Sequence, residues 1–382
     1  MLLNPRNSLG VYCQKMKLNI DDTGPIQSFF HCENETCKIG NMFCVSLLGN
    51  QKCICGKLLN RESPLQLSEE SGFVKETSTF IVSDDLYVMP NVVGTKLDIL
   101  QKQGINDLDA IDKQTVTICK KEAFDLLKLS LVSKTPMSDF IFKKEQHFGN
   151  LERRNRFEFW IGEEKEPCDE MVVKVVRRKS NEQILFVEAE ENFADLVLSF
   201  LTFPLGGVLH MLKGFSFLSC IDNLYKSMLE LSPDRYLLSE EVKDKLTQPT
   251  CASQFELNNQ ILPMRDSGYK DRNKGHKFVD PKSPISGGYT KGPLTFVVID
   301  NLVVNPISSF NVITYLERMK VPLNDLDKRV VKIGVNEGLS ILKASLTTNS
   351  ALTNGLSVSI IDQFLQEQRS QSIHKRAKLG TT

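Results

Sequence analysis

At 382 residues, with 41% apolar and 25% charged side chains, the chain is long enough for about two packed domains. Lys plus Arg and Asp plus Glu both total 47, which excludes a global electrostatic pull toward nucleic acid or anionic membranes. No apolar run reaches the roughly 18 to 20 residues that span a bilayer. The longest candidate, Phe193 to Leu212, is broken by Asp195, Pro204, Gly206, Gly207 and His210, so no membrane partner is expected.

Met1 to Gly10 has no apolar core of the length a secretory signal requires. The ten cysteines are therefore expected in a reducing, intracellular setting, cytoplasmic or nuclear. There they serve as buried thiols or metal ligands rather than disulfides.

Residues 32 to 56 read CENETCKIGNMFCVSLLGNQKCICG. Cys32 with Cys37, and Cys53 with Cys55, form two short-spaced thiol pairs joined by a loop, the arrangement a tetrahedral zinc ion needs. Gly56, directly after the last thiol, permits the left-handed turn of a metal knuckle. The C-x4-C and C-x-C spacings depart from the commoner C-x2-C, and Cys44 and His31 are possible substitute ligands. Four thiolates would leave no open coordination position, so the expected zinc is structural. Lys38, Lys52 and Lys57 surround the segment, but without a row of aromatic side chains they read as a solvated face.

Further along, Thr79 to Pro90 reads TFIVSDDLYVMP, two β-rich runs flanking Asp84-Asp85 and predicting a hairpin. Pro90 ends it. A helix is expected over Val93 to Gln103, a short strand over Thr115 to Cys119, and a second helix with Phe124, Leu127 and Leu131 at helical spacing. Lys143 to Glu170 is dense in charge and reads as a linker. Within it the alternation Phe157, Phe159, Ile161, with the single Trp160, suggests a strand or docking segment. Two further β-rich runs, Met171 to Val176 and Gln183 to Ala189, predict another hairpin. An apolar helix follows from Asn192 to the Pro204-Gly207 break, and another spans Phe217 to Leu231.

The hairpin pattern then recurs. Thr295 to Pro306 reads TFVVIDNLVVNP, identical to the earlier segment at seven of twelve positions with a constant offset of 216. Leu100 falls on Leu316 and Ile105 on Val321. After a slip of one residue, Ile118 falls on Ile333, Glu122 on Glu337, Leu127 on Leu342, Lys128 on Lys343 and Ser130 on Ser345. A helix over Ser309 to Lys320, a strand over Arg329 to Gly334 and a helix carrying Leu339, Leu342 and Leu346 complete the second pass. Such self-similarity reads as a duplication.

The expected fold is thus α+β, two tandem homologous units of β-hairpins and helices. The first unit (1–142) is incomplete at its front and carries a cysteine-rich, zinc-ribbon-like insertion (29–58). A charged linker (143–170), a complete second unit (171–366) and a disordered basic tail (367–382) follow. The first unit lacks a counterpart of the 171–231 hairpin-and-helix block, which predicts a lost front half or a truncated reading frame. Without those strands a sheet edge and an apolar face would be exposed.

With these residues laid out, the chain resembles the plant family called domain of unknown function 674. The carriers are Val175 to Leu212, especially ILFVEAEENFADLVLSFLTFPLGGVLHML, then FVKETSTFIVSDDLYVMP, YTKGPLTFVVIDNLVVNP, LLNPRN at Leu2 to Asn7, MKLNIDD at Met16 to Asp22, and LLKLSLVSKTPMSD at Leu126 to Asp139. The resemblance covers nearly all of the chain outside the linker and tail. It implies a plant origin and a tandem-unit protein, and no activity. It also implies a C-x-x-C-G knuckle more often than the C-x-C-G found here, and a hairpin-helix block at the start.

Other motifs read as structure. Gly287 to Gly292 (GGYTKG) precedes a strand rather than a helix, so it predicts a turn and not a phosphate loop. Asp84 and Asp300 suit turns, and Glu188, Glu190 and Glu191 bridge a strand and a helix start. None of His31, His147, His210, His276 and His374 has a counterpart in the other unit, and no nucleophile elbow appears. Cys119 and Cys220 are expected in the core. The second unit keeps only Cys251 opposite the cysteine-rich stretch, with a basic loop, Arg265 to Lys277, in its place.

The leading functional expectation is a non-catalytic binding or scaffold protein with a structural zinc and an unknown protein partner. One alternative is an enzyme working between the units with Asp84, Asp300 or Glu188. Another is nucleic-acid binding through the zinc segment, which the balanced charge disfavours.

Overall fold

The structure, a computed structural model, describes residues 2, 28–39, 42–64, 73–102, 104–105, 107, 111–142, 170–264, 276–282 and 287–361. The 143–169 part of the charged linker with Phe157, Phe159, Trp160 and Ile161, the 265–275 part of the basic loop, the tail and the motifs at 3–27 lie outside these residues. Contacts divide the chain into two units that alternate in sequence. One comprises 1–149, 203–254 and 264–278, and the other 150–202, 255–263 and 279–382.

In the first unit, β1 (Ser28–Cys32), β2 (Lys38–Ile39), β3 (Met42–Ser46), β4 (Gln51–Lys52) and β5 (Leu58–Pro64) build a sheet with β10 (His276–Phe278). The order is β10-β3-β1-β5-β4, with β2 beside β3; β10 runs parallel to β3 and the other pairs are antiparallel. Its core is made by Phe29, Val45 and Leu59 together with four of the cysteines. A separate two-stranded ribbon joins β6 (Phe80–Val82) to β7 (Val88–Pro90). Helices α1 (Val93–Lys102), α2 (Lys120–Val132) and α3 (Pro136–Ile141) follow.

The helical segment of this unit comprises α5 (Leu205–Met211), α6 (Ser219–Glu230), α7 (Pro233–Tyr236) and α8 (Glu240–Thr247). Asp222 braces the loop that enters α6 by accepting from Ser216 N–H (3.0 Å), Ser216 Oγ (2.6 Å) and Phe217 N–H (3.1 Å). α6 covers β7, where Ser227 Oγ accepts the Val88 N–H at 2.8 Å.

The second unit is one antiparallel sheet, ordered β12-β11-β9-β8-β13. Its strands are β8 (Met171–Arg178), β9 (Ile184–Glu190), β11 (Thr295–Ile299), β12 (Val304–Pro306) and β13 (Leu326–Ile333). Central β9 is an almost continuous apolar run with Ile184 to Val187 fully buried, as a strand covered on both faces requires. One sheet face packs Val176, Phe186 and Val297 against Leu316 and Val321, with Phe310 and Tyr315 of the α9 (Val312–Arg318) region stacked on Phe186. α4 (Glu191–Ser199), α10 (Val335–Thr347) and a helix including 351–361 supply the other large buried residues, among them Phe193, Leu342 and Leu352.

Local geometry recurs at the offsets of the sequence match. Phe80, Ile81 and Val82 pair with Pro90, Met89 and Val88, as Phe296, Val297 and Val298 pair with Pro306, Asn305 and Val304. Leu86 and Leu302 both turn through positive φ, 62° and 65°. Glu122 and Glu337 each accept the backbone N–H three residues earlier, at Cys119 (3.3 Å) and Gly334 (2.9 Å).

One expected element is absent. Residues 111–119 form no strand, although β13 at the matching positions pairs along its whole length with β8. The reason is partnership: among the described residues no strand lies beside 111–119, and a strand without a neighbour has no ladder to hold it. Cys119 is accordingly exposed rather than in the core, its thiol against Glu122, whereas Cys220 is fully buried as expected.

Candidate metal centre

Two tight turns of the first sheet bring its thiols together. The first leaves β1 at Cys32. Asn34 N–H donates to Cys32 Sγ at 3.4 Å, Asn34 Oδ1 accepts from Thr36 N–H at 3.2 Å, and Cys37 N–H closes on Asn34 O at 3.0 Å. The second links β4 to β5: Cys53 N–H donates to Lys57 O and Gly56 N–H to Cys53 O, both at 2.9 Å. Gly56 sits at φ +82°, a left-handed conformation that side chains disfavour.

Cys32, Cys37, Cys53 and Cys55 carry sulfurs that all lie within 4.8 Å of one another. Cys37 and Cys53 Sγ are 3.4 Å apart, and Cys32 and Cys55 Sγ are 3.5 Å apart. A tetrahedral zinc with bonds of about 2.3 Å separates its sulfurs by about 3.8 Å, so the cluster is compatible with a metal site. Three of the four thiols are buried and Cys55 is exposed.

Burial pushes Cys32 up to about 11 and Cys37 higher still. By contrast, the Lys57 backbone N–H holds Cys55 down at about 7. Cys44, wholly buried on β3, is raised to about 12, first by burial and then by hydrogen bonding with Cys53. It lines the cluster without joining the four, and the His31 ring packs 4.9 Å from Phe29. Lys38 lies over the Phe43 ring, 4.6 Å from its centroid, while Lys52 and Lys57 are exposed.

The sequence model of the family described as "Protein of unknown function (DUF674)" matches residues 1–336. The chain belongs to this family. No curated protein and no solved structure matches it. Among the described residues no helix is long and apolar enough to cross a membrane.

In this DUF674 chain the candidate acids Asp84, Asp300 and Glu188 are not members of the thiol cluster. Asp84 accepts from Ser138 N–H and Oγ, and Asp300 from Thr353 N–H and Oγ1. Glu188, half-buried on β9, lies in register with Lys174 of β8 and Val297 of β11. A cleft of ≈ 380 Å³ in the first unit opens between β7 and the α6–α7 turn, but its acid, Glu230, already accepts the Tyr87 hydroxyl.

One residue that sequence reasoning missed organises the GGYTKG segment. Asp195, buried on α4, accepts from Tyr289 N–H (3.1 Å), Thr290 N–H (2.9 Å) and Thr290 Oγ1 (2.9 Å). A Cβ at Gly288 would overlap its carboxylate. The glycines therefore admit a carboxylate to the turn, a role that only a long-range contact reveals; the available signal was an acid inside an otherwise apolar helix.

Proposed function

We propose that this DUF674 protein is a non-catalytic binding protein made of two copies of one α+β unit. In the first copy, a structural zinc held by Cys32, Cys37, Cys53 and Cys55 staples the inserted sheet. The observation that carries the metal reading is the convergence of four thiols within 4.8 Å from two separate turns. Four thiolates complete a tetrahedron and leave no position for water or substrate, so the ion's contribution is to fold rather than to chemistry. A dication offsets the burial that resists charge on Cys32 and Cys37, and its binding releases their protons. Unpaired thiols of this kind suit a reducing compartment inside the cell.

The duplication reading draws support from the recurring hairpin register, the left-handed leucines and the aspartate–hydroxyl clamps. Its homology boundaries are 1–142 and 171–366, with 143–170 as linker and 367–382 as tail. Contact units cut across these boundaries because α5 to α8 group with the first copy. Asp84 and Asp300 clamp helix starts, and we assign them structural roles.

Elemental analysis of protein purified under reducing conditions tests the metal. About one zinc per chain is expected, lost together with thermal stability when Cys53 and Cys55 are both changed to Ser. Protein that carries no zinc, with the double variant as stable as the parent, would overturn the site.

A further inference from the structure

We infer that the first copy presents a docking face for a β-hairpin of another polypeptide. That hairpin inserts as a pair of strands against β6 and residues 111–118, with an apolar strand laid antiparallel on β6 and a basic residue facing Asp112. The inference rests on the duplicated-unit reading above.

The second unit shows what the equivalent surfaces hold. There the β8–β9 hairpin lies between β11 and β13: β9 pairs with all of β11, Thr295 to Ile299, and β8 with all of β13. The matching elements of the first unit are β6 and residues 111–118, and among the described residues β6 pairs only with β7 while 111–118 pair with nothing. Ser83 N–H donates to Tyr87 O, so by antiparallel alternation the backbone groups of Phe80 and Val82 face away from β7. Those are the positions at which Phe296 and Val298 meet Ala189 and Val187 of β9.

Side-chain exposure follows the same map. Val82 is 43% exposed where Val298 is 0%, Ile118 is 50% where Ile333 is 0%, and Leu127 is 45% where Leu342 is 1%. An open strand edge flanked by apolar side chains is a template for strand addition.

Charge specifies the occupant further. In the second unit Arg177 of β8 pairs with Asp327 of β13 at 3.0 Å. The position matching Asp327 is Asp112, which is exposed and touches Gln114 Nε2 at 3.0 Å. The first copy thus keeps the acid that reads a hairpin's arginine.

A fluorescent peptide of residues 170–191 of this chain, titrated against the full chain, tests the inference. One-to-one saturable binding is expected, with amide exchange slowed at 80–82 and 111–118. Val82→Pro, which removes the outward N–H, and Ile118→Asp should each weaken binding by at least about tenfold. Asp112→Arg should weaken it as well, and a peptide with Arg177→Asp should restore it. Protein that keeps its zinc but binds no peptide would overturn this inference alone. Binding indifferent to all three substitutions would overturn it by assigning the peptide to strand exchange in the second unit. Homodimers abolished by Val82→Pro would overturn it by assigning the face to a second copy of the chain.

Discussion

Asp84 holds Ser138 twice, its Oδ1 accepting the backbone N–H at 2.7 Å and its Oδ2 the hydroxyl at 2.8 Å. Asp300 holds Thr353 in the same way at 2.8 and 2.9 Å. Each ties a hairpin turn to the start of a later helix, where a carboxylate also meets the favourable end of the helix dipole. Because Asp300 is the more buried of the two, Asp300→Ala should cost about 2 to 4 kcal/mol by urea unfolding and Asp84→Ala about 1. An Asp300→Ala midpoint equal to the parent's would remove the clamp from the account.

Burial raises the carboxyls of Asp300 and Asp195 above the ordinary carboxylate value, against the lowering effect of the hydrogen bonds from Thr353 and Thr290. The folded state therefore binds these protons more tightly than the unfolded chain does. The stability they contribute is complete below the unfolded value and is lost as pH rises through the raised folded values. Asp300→Asn and Asp195→Asn do not titrate, so each should gain stability relative to the parent as pH rises above about 4. Urea midpoints across that range check it; parent and variant curves that stay parallel would contradict the raised values.

Elements whose signal is local were legible in the sequence. The hairpin at 79–90 follows from two apolar runs around acids, and α2 from Phe124, Leu127 and Leu131 at helical spacing. The thiol pairs were legible for the same reason, since each sits in a single turn, whereas the short sulfur contacts, Cys37 to Cys53 and Cys32 to Cys55, join the two turns. The strand expected over Thr115 to Cys119 failed because its residues have strand character but no partner, and pairing is a property of two segments. Asp195 was illegible in the same sense: its ligands lie some 95 residues away in sequence, and no periodicity encodes them. Leu86 and Leu302, which the sequence match aligns, both adopt the left-handed turn.

Gly56 provides a test of the metal turn that leaves the thiols intact. It sits at φ +82°, and nothing beyond its chain neighbours lies within 4 Å of the point where a Cβ would stand, so an added Cβ meets backbone strain and no clash. Gly56→Val should cost about 1 to 2 kcal/mol, equivalent to zinc affinity about five- to thirtyfold weaker. Competition with a chromophoric chelator measures this directly. Unchanged affinity would show that the turn relaxes without loss, and that the four thiols do not depend on Gly56 for their convergence.

The two leucines at matching positions, Leu127 and Leu342, offer the sharpest contrast within one chain. Leu342 is enclosed by the second unit, so Leu342→Ala removes transfer energy and leaves a cavity, at about 2 to 5 kcal/mol. Leu127 lies on an open helix face, and Leu127→Ala should cost less than about 1 kcal/mol in the isolated chain. The difference comes from what covers each residue rather than from the residue itself. If a hairpin docks on the first unit, saturating the protein with the 170–191 peptide should enlarge the Leu127→Ala penalty, because the bound state alone encloses that side chain. Thermal shifts with and without peptide read this out. A Leu127→Ala variant that gains as much stability from the peptide as the parent would place the bound hairpin away from α2.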